Sequence, residues 1–528
     1  MIQMTEKYNG NDGKIMDRIF LVSYNDVTKL NRGQVRKGSA EMKRKVKAMG
    51  LTALAAVLAA GTCGAEARAD DVKTINMYTM GIGNTTDNQM VQDAINEISR
   101  EKIGVEVNWT VLDIGQWFEQ YNLLLSGSEA VDLMPNMGGV ATGVRQGSFM
   151  EMEDLYAEYG QGIAEYLDDE FLNAGYVDGH LYGIPSQKDF AATKNITYRQ
   201  DIVDELGLDV SNVKTIEDWF PVMEAVQKAY PDMTMFVSNA GSTLNQWDSY
   251  NWDKLEDELG VLMNYGEKAE VVNLFETDEY EKIVREMRKW YEAGFIAKDT
   301  ATSTEAYSVI IKSGNAFCSI TTGNPGIVEE QTQNCGFPMG TIALTEPLAS
   351  TMNVTALMWA IPYTSAEPEA AMKFLNLMYT DAEVSNLLNY GIEGVHYTVQ
   401  DDGTLFYPEG MDASSCTYHP EMTWIWPNTY IAGQWAASTK DLGTKMGEFN
   451  KEARKSAAMG WVFNSAPVAN EITACTNVIK EYAYGLEVGA VDVDEVLPKF
   501  QQALKDAGID RVIEEKQKQI DEWLAAKE

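Results

Sequence analysis

The chain has 528 residues, 45% of them hydrophobic and 10% aromatic, enough apolar material for more than one core and too much for a disordered chain. A formal net charge of -37 excludes nucleic acid and anionic membrane surfaces as partners, because phosphate and acidic headgroups repel such a field. Its five cysteines have no metal-ligand spacing, so neither a metal site nor a cofactor is expected.

Residues 1–41 are polar and read as an over-extended start, with Met42 as the initiator. Met42-Lys-Arg-Lys-Val-Lys47 is a basic n-region, and Ala48 to Gly61 is an uncharged h-region, too short for a spanning helix. Residues 42–69 therefore read as a signal peptide. Its end offers two processing sites. Leu58-Ala-Ala-Gly-Thr-Cys63 resembles a lipobox, with Thr62 where a smaller residue is usual, and would place a lipid on Cys63. Ala67-Arg-Ala69 is a small-x-small pattern that would release the protein before Asp70. Either way the product is exported, where disulfides are permitted, and Cys318, Cys335, Cys416 and Cys475 are left either paired or as buried thiols.

From residue 73 onward strands alternate with amphipathic helices. Lys73–Met80 alternates with period two and stops at Gly81 and Gly83, a helix follows from about Asn88 to Ser99, and Val105–Trp109 completes a β-α-β unit. A helix near Trp117–Leu125 leads to the short strand Val131–Met134, ending at Pro135-Asn136 and Gly138-Gly139; loops at such strand ends hold ligands in open α/β sheets. Tyr182–Pro185 reads as a strand leaving this region. Thr215 starts a capped helix in which Pro221 is out of place, and Tyr280, Ile283, Val284, Met287 and Tyr291 form a helical core stripe. Ala316–Ile320 and Ala356–Ile361 are strand-like, Glu367–Tyr379 and Ala382–Tyr390 helical, and the tail from Leu497 reads as one long charged helix.

Gly179-His-Leu-Tyr-Gly-Ile-Pro185, Ala366-Glu-Pro-Glu-Ala-Ala-Met-Lys-Phe-Leu375, Tyr390-Gly-Ile-Glu-Gly-Val-His-Tyr397 and the tail Ala507–Leu524 resemble the extracellular solute-binding proteins of bacterial ABC sugar importers, family 1-like, in the lipoprotein subgroup of Gram-positive bacteria. The resemblance implies an α/β, two-lobed type 2 periplasmic-binding-protein fold, each lobe a mostly parallel sheet flanked by helices, joined by hinge strands that close on a solute. Crossings are expected near Pro185, near residues 300–310 and near Pro362. That gives lobe 1 as residues 70–185 plus 305–362, and lobe 2 as 186–304 plus 363–528. The resemblance also implies ABC permease subunits as partners, a monomer, and contact with the membrane through a lipid anchor only.

Sugar rings present apolar C–H faces and a rim of hydroxyls, so a sugar site needs aromatic rings beside amides and carboxylates. Two aromatic clusters lie among polar loop residues: Asn245–Trp252, with Trp247 and Trp252, and Thr423–Tyr430, with Trp424, Trp426 and Asn428. In an extended Trp424-Ile425-Trp426 both indoles share a face. Polar candidates are Asn84 after the first strand, Asn136 at a strand end, Asp189 after the hinge, Asn324, and Glu393 in a glycine-flanked turn. Each of these residues also has an ordinary structural use, in packing or in turns.

No nucleophile elbow, zinc-protease motif or phosphate-binding loop occurs, and the three histidines lie apart in sequence, so no catalytic residue is assigned. The expected function is capture of an extracellular carbohydrate, most simply an oligosaccharide, for an ABC importer, without catalysis. A lipoprotein binding peptides or another small solute is the runner-up, and an exported glycoside hydrolase stands behind it.

Overall fold

The computed structural model describes residues 2–9, 15–22 and 72–527, apart from 128, 239–249, 301, 302, 304 and 437. The signal-peptide region with Cys63, and Trp247, lie outside the described residues. Two compact units result, residues 1–67 and 68–528. The first contains an antiparallel pair, β1 (Ile2–Asn9) and β2 (Ile15–Val22), with Ile2 opposite Val22. In the second, no described helix is long and apolar enough to cross a membrane.

The second unit is built on two hydrophobic cores. The first surrounds β3 (Lys73–Gly81) and β4 (Val105–Asp113), parallel in register from Lys73 against Val105 to Gly81 against Asp113. Their crossover is α1 (Asn88–Ile103), whose Val91 and Ile95 are fully buried. It ends at Gly104, which adopts the left-handed conformation of a C-cap. Beyond β4 comes α2 (Ile114–Ser126), capped by the Asp113 side chain. On the other side of β3, Met77 bridges in parallel to Leu133, and the sheet continues through β5 (Met134–Met137) to β12 (Leu357–Ala360) and β6 (Ile184–Pro185). Helices α6 (Pro368–Thr380) and α7 (Ala382–Tyr390) close this core with α1.

The second core surrounds β7 (Ala191–Arg199), buried along its whole length. It pairs antiparallel with β9 (Ala316–Gly323) on one side and β10 (Met339–Ala343) on the other, and β8 (Thr234–Phe236) runs parallel to β9. The apolar stripe of α4 (Asp278–Glu292) packs here, as does α3 (Ile216–Ala229), which opens with a complete capping box between Thr215 and Asp218. Pro221 lies inside α3, in its second turn, where it removes the helical hydrogen bond that an N–H at this position would make to Glu217 O. The C-terminal segment adds α9 (Ala469–Glu487), α10 (Val493–Ala507) and α11 (Ile509–Ala525). The expected single tail helix is thus two, divided by Gly508 at φ +96°.

The chain passes between the cores three times: from β6 into β7, from β10 through β11 (Leu348–Ala349) toward β12, and through β13 (Arg454–Lys455). β11 lies between the start of β7 and β13, so the crossings form one narrow ribbon. This corrects the expected partition in two places. Residues 305–345 belong to the second core because β9 pairs with β7, and residues 363 to about 453 belong to the first because α6 and α7 pack against α1 and β3. The later crossings therefore lie at 344–350 and 453–456 instead of 300–310 and Pro362. Cys318, Cys335, Cys416 and Cys475 are all free, buried thiols, and burial pushes the Cys318 thiol up to about 12.

Candidate functional site

Beside the β7 edge of the ribbon lies a cavity of about 370 Å³. Gln187, Lys188 and Asp189, which precede β7, form its floor; the β9–α5 loop and α5 (Ile327–Cys335) form a wall from the second core; and residues 423–446, which run into α8 (Leu442–Glu452), form a wall from the first. An occupant would therefore touch both lobes.

Three of the residues singled out in the sequence meet here: Asp189, Asn324 and Trp424. Asn324 Nδ2 donates to Asp189 Oδ2 at 3.2 Å, while its Oδ1 accepts the Gly326 N–H at 2.8 Å and shapes the entry to α5. Lys188 Nζ lies 3.3 Å from Asp189 Oδ1. Trp424 keeps 38% of its surface exposed, an unusual degree for a tryptophan.

Sequence reasoning missed Glu329, Glu330 and Thr439. Thr439 Oγ1 donates to Glu329 Oε2 at 2.7 Å and so links the two walls. Burial first, and then the charge of Asp189, raises the carboxyl of Glu330 above its usual range. Tyr430 closes the inner end, its phenol pushed up by burial and by Asp189. The signal that was available was two adjacent carboxylates in the first turn after Asn324-Pro325-Gly326. With three carboxylates and one ammonium, the cavity is rich in acceptors for hydroxyl donors.

The remaining candidates are placed elsewhere. Trp426 is 2% exposed, 5.4 Å edge-to-face from Trp109 and stacked 6.1 Å from Trp359. Its separation from Trp424 follows from Thr423–Ile425 being a single 3₁₀ turn, not an extended strand, so residues i and i+2 point apart. Trp252 is 1% exposed in the second core. Asn428 is buried, donating to Tyr379 O and accepting from Tyr430 N. Asn136 is buried, accepting from the Tyr121 hydroxyl and donating to Gly139 O. Asn84 spends both ends of its amide on the turn, donating to Cys416 O and accepting from Thr86. Glu393 is exposed in its turn and lines neither this cavity nor the second one described below. Asp87, held below the usual carboxylate range by Thr417 and then His396, ties that turn to the start of α1. His396 is thereby used in holding structure.

Two α/β lobes on a three-segment ribbon, with a polar and aromatic cavity where they meet, are the architecture of a type 2 solute-binding protein. The chain belongs to the bacterial extracellular solute-binding protein family, whose model matches residues 82–384, more than half of its length. Residues 457–525 match a domain of unknown function, DUF3502. Among similar proteins, a carbohydrate ABC transporter substrate-binding protein of Streptococcus pneumoniae is 25% identical over 492 residues, covering 90% of this chain and 97% of its own. The lipoprotein LipO of Bacillus subtilis is 23% identical over 320 residues, covering 56% and 62%. The crystal structure of the N-glycan transport solute-binding protein NgtS of S. pneumoniae superposes with a TM-score of 0.77 at 24% identity, covering 86% of this chain and all of that one; NgtS has also been crystallised with Man1GlcNAc and Man5GlcNAc.

Proposed function

We propose that the protein captures a carbohydrate in the cavity beside β7 and delivers it to the permease of an ABC importer, without chemical change to the sugar. The observation that carries this reading is the exposed indole of Trp424 set among Asp189, Asn324, Glu329 and Glu330, groups drawn from both lobes and from the ribbon between them. An indole face fits the C–H face of a pyranose, and carboxylates and amides accept from its hydroxyls. A solute that makes all its contacts only when both lobes embrace it favours the closed form, the form a permease distinguishes from the empty one. The complexes of NgtS with Man1GlcNAc and Man5GlcNAc support an oligosaccharide of the N-glycan type.

In the same reading the protein is exported and held at the outer face of the membrane by a lipid on Cys63, as the likeness to LipO supports. Cys63→Ser should then move it from the membrane to the soluble fraction; unchanged fractionation would favour release after Ala69.

The binding test is a thermal-shift and turnover assay of the purified protein against oligosaccharides, short peptides and amino acids. A saccharide at a hundredfold excess over Kd should stabilise the fold by about 2.7 kcal/mol, with no product formed. Stabilisation by peptides alone moves the reading to a peptide carrier, and glycoside turnover would overturn the assignment as a binding protein.

A further inference from the structure

A second cavity, of about 990 Å³, lies at the other edge of the ribbon, beyond β13. One wall comes from the first lobe: Arg145, Asn173 and the turn that carries Tyr176 and Asp178. The opposite wall is residues 460–467 and α11, nearly all within the DUF3502 segment. Gly460 lies between the two walls with φ +88°; a Cβ there would stand 3.5 Å from Asn173 O and 3.7 Å from the Trp523 ring. Next to it Val462 packs on the cluster of Val140, Ala141 and Val177 in the first lobe.

The lining has the composition that a hydroxyl-rich, uncharged ligand requires. An indole and a phenol, Trp523 and Tyr176, both half-buried, supply flat apolar area, and Trp461, 4% exposed, backs that wall from the core of the second lobe. Trp461 is braced by Phe463, stacked 5.8 Å away, and Trp523 is covered on one side by Lys527 Nζ at 3.5 Å, so both rings are held in place. Gln519 is bound through both ends of its amide to the backbone of Asn464, which fixes that wall. Arg145 is exposed, lines the cavity and acts by its charge on the Glu256 carboxyl, with no ion pair at contact distance among the described residues. Three basic residues, Arg145, Lys518 and Lys527, balance the acidic Asp178, Glu515 and Glu522, a neutral lining in a chain of net charge -37.

We propose that this cavity is a second binding site, for a neutral saccharide, and that it gives the DUF3502 segment its function. Because its walls come from both lobes, an occupant there also biases the angle between them. The assignment does not depend on the first cavity. The experiment is calorimetric titration of the full-length protein with Man5GlcNAc and with linear glucan oligosaccharides. It compares the unaltered protein with Arg145→Ala and Trp523→Ala at the second cavity and Trp424→Ala at the first. Binding that both second-cavity variants weaken at least tenfold, with Trp424→Ala leaving that component in place, supports the proposal. If Trp424→Ala has no effect on any component while Arg145→Ala does, the first-cavity reading falls and this one stands. Wild-type stoichiometry and affinity in Arg145→Ala, or no heat with any of these saccharides, overturns it. Arg145 is exposed and its charge acts on the Glu256 carboxyl, so the urea midpoint of each variant is measured beside the titration, and a tenfold loss of affinity counts only where that midpoint is unchanged.

Discussion

Trp424 and Trp426 stand two residues apart and have opposite roles, which makes them a clean pair for mutation. Trp426 is enclosed by Trp109 and Trp359, so Trp426→Ala removes a large buried ring and should cost about 3–5 kcal/mol of stability, read as a lower midpoint in urea. Trp424→Ala exchanges an exposed ring and should leave the midpoint where it is while weakening saccharide binding by roughly 2 kcal/mol, the size of an aromatic anchor. A stability loss at Trp424 with unchanged affinity would remove it from the site. The aromatic cluster was legible in the sequence; which member faces the cavity was not, because that depends on one 3₁₀ turn whose neighbours Trp109 and Trp359 are distant in the chain. Asp189 and Asn324 are found by position, just past a hinge strand and a strand end, but the same rule also selects Asn84 and Asn136, whose amides are spent on local hydrogen bonds outside the cavity.

Among the elements, the acidic loop Asp253–Gly260 shows how the C-terminal segment is fastened to the second lobe. Leu255, Glu256, Glu258 and Gly260 all have positive φ, at +48°, +79°, +62° and +109°, a conformation that needs support from outside the loop. Lys516 of α11 supplies it: its fully buried ammonium donates to Leu255 O at 3.0 Å, to Gly260 O at 3.3 Å and to the Asp257 carboxylate, using all three of its hydrogens. Glu256 in turn accepts from Phe463 N, so the same loop positions the segment that carries Trp461. Lys516→Met would strand two carbonyls and a carboxylate and should destabilise the protein by about 3–5 kcal/mol; a loss under about 1 kcal/mol would show that the loop holds itself. In sequence Lys516 is one lysine in a run of charges, and its burial follows only from the docking of α11. The local signals fared better: the Thr215 capping box and the α4 stripe rest on neighbours a few residues away, and the β3-α1-β4 unit on a single crossover helix, and each is present in the structure.

At the scale of the whole molecule, the alternation of strands and helices made the α/β class readable and the family resemblance implied two lobes, while the allocation of segments to lobes was not readable. β7 pairs with β9 and β10 across more than a hundred residues, and strand composition carries no label for its partner. The overall charge then constrains what the cavities accept. With a net charge of -37 the molecule sits in its own negative potential, and an anionic ligand must approach against it, whereas a neutral saccharide does not. Raising ionic strength from about 0.01 M to about 1 M shortens the Debye length from about 30 Å to about 3 Å and so removes most of that long-range field. The Kd of a neutral oligosaccharide should therefore change less than about twofold over this range, since stacking and hydrogen bonds at short distance are little screened. A uronate oligosaccharide of the same length should bind weakly at low salt and gain affinity as salt is added. The opposite pattern, strong binding of the acidic oligosaccharide that salt weakens, would mean that Lys188 or the basic residues around the second cavity set the specificity, and a neutral sugar would no longer be the preferred solute.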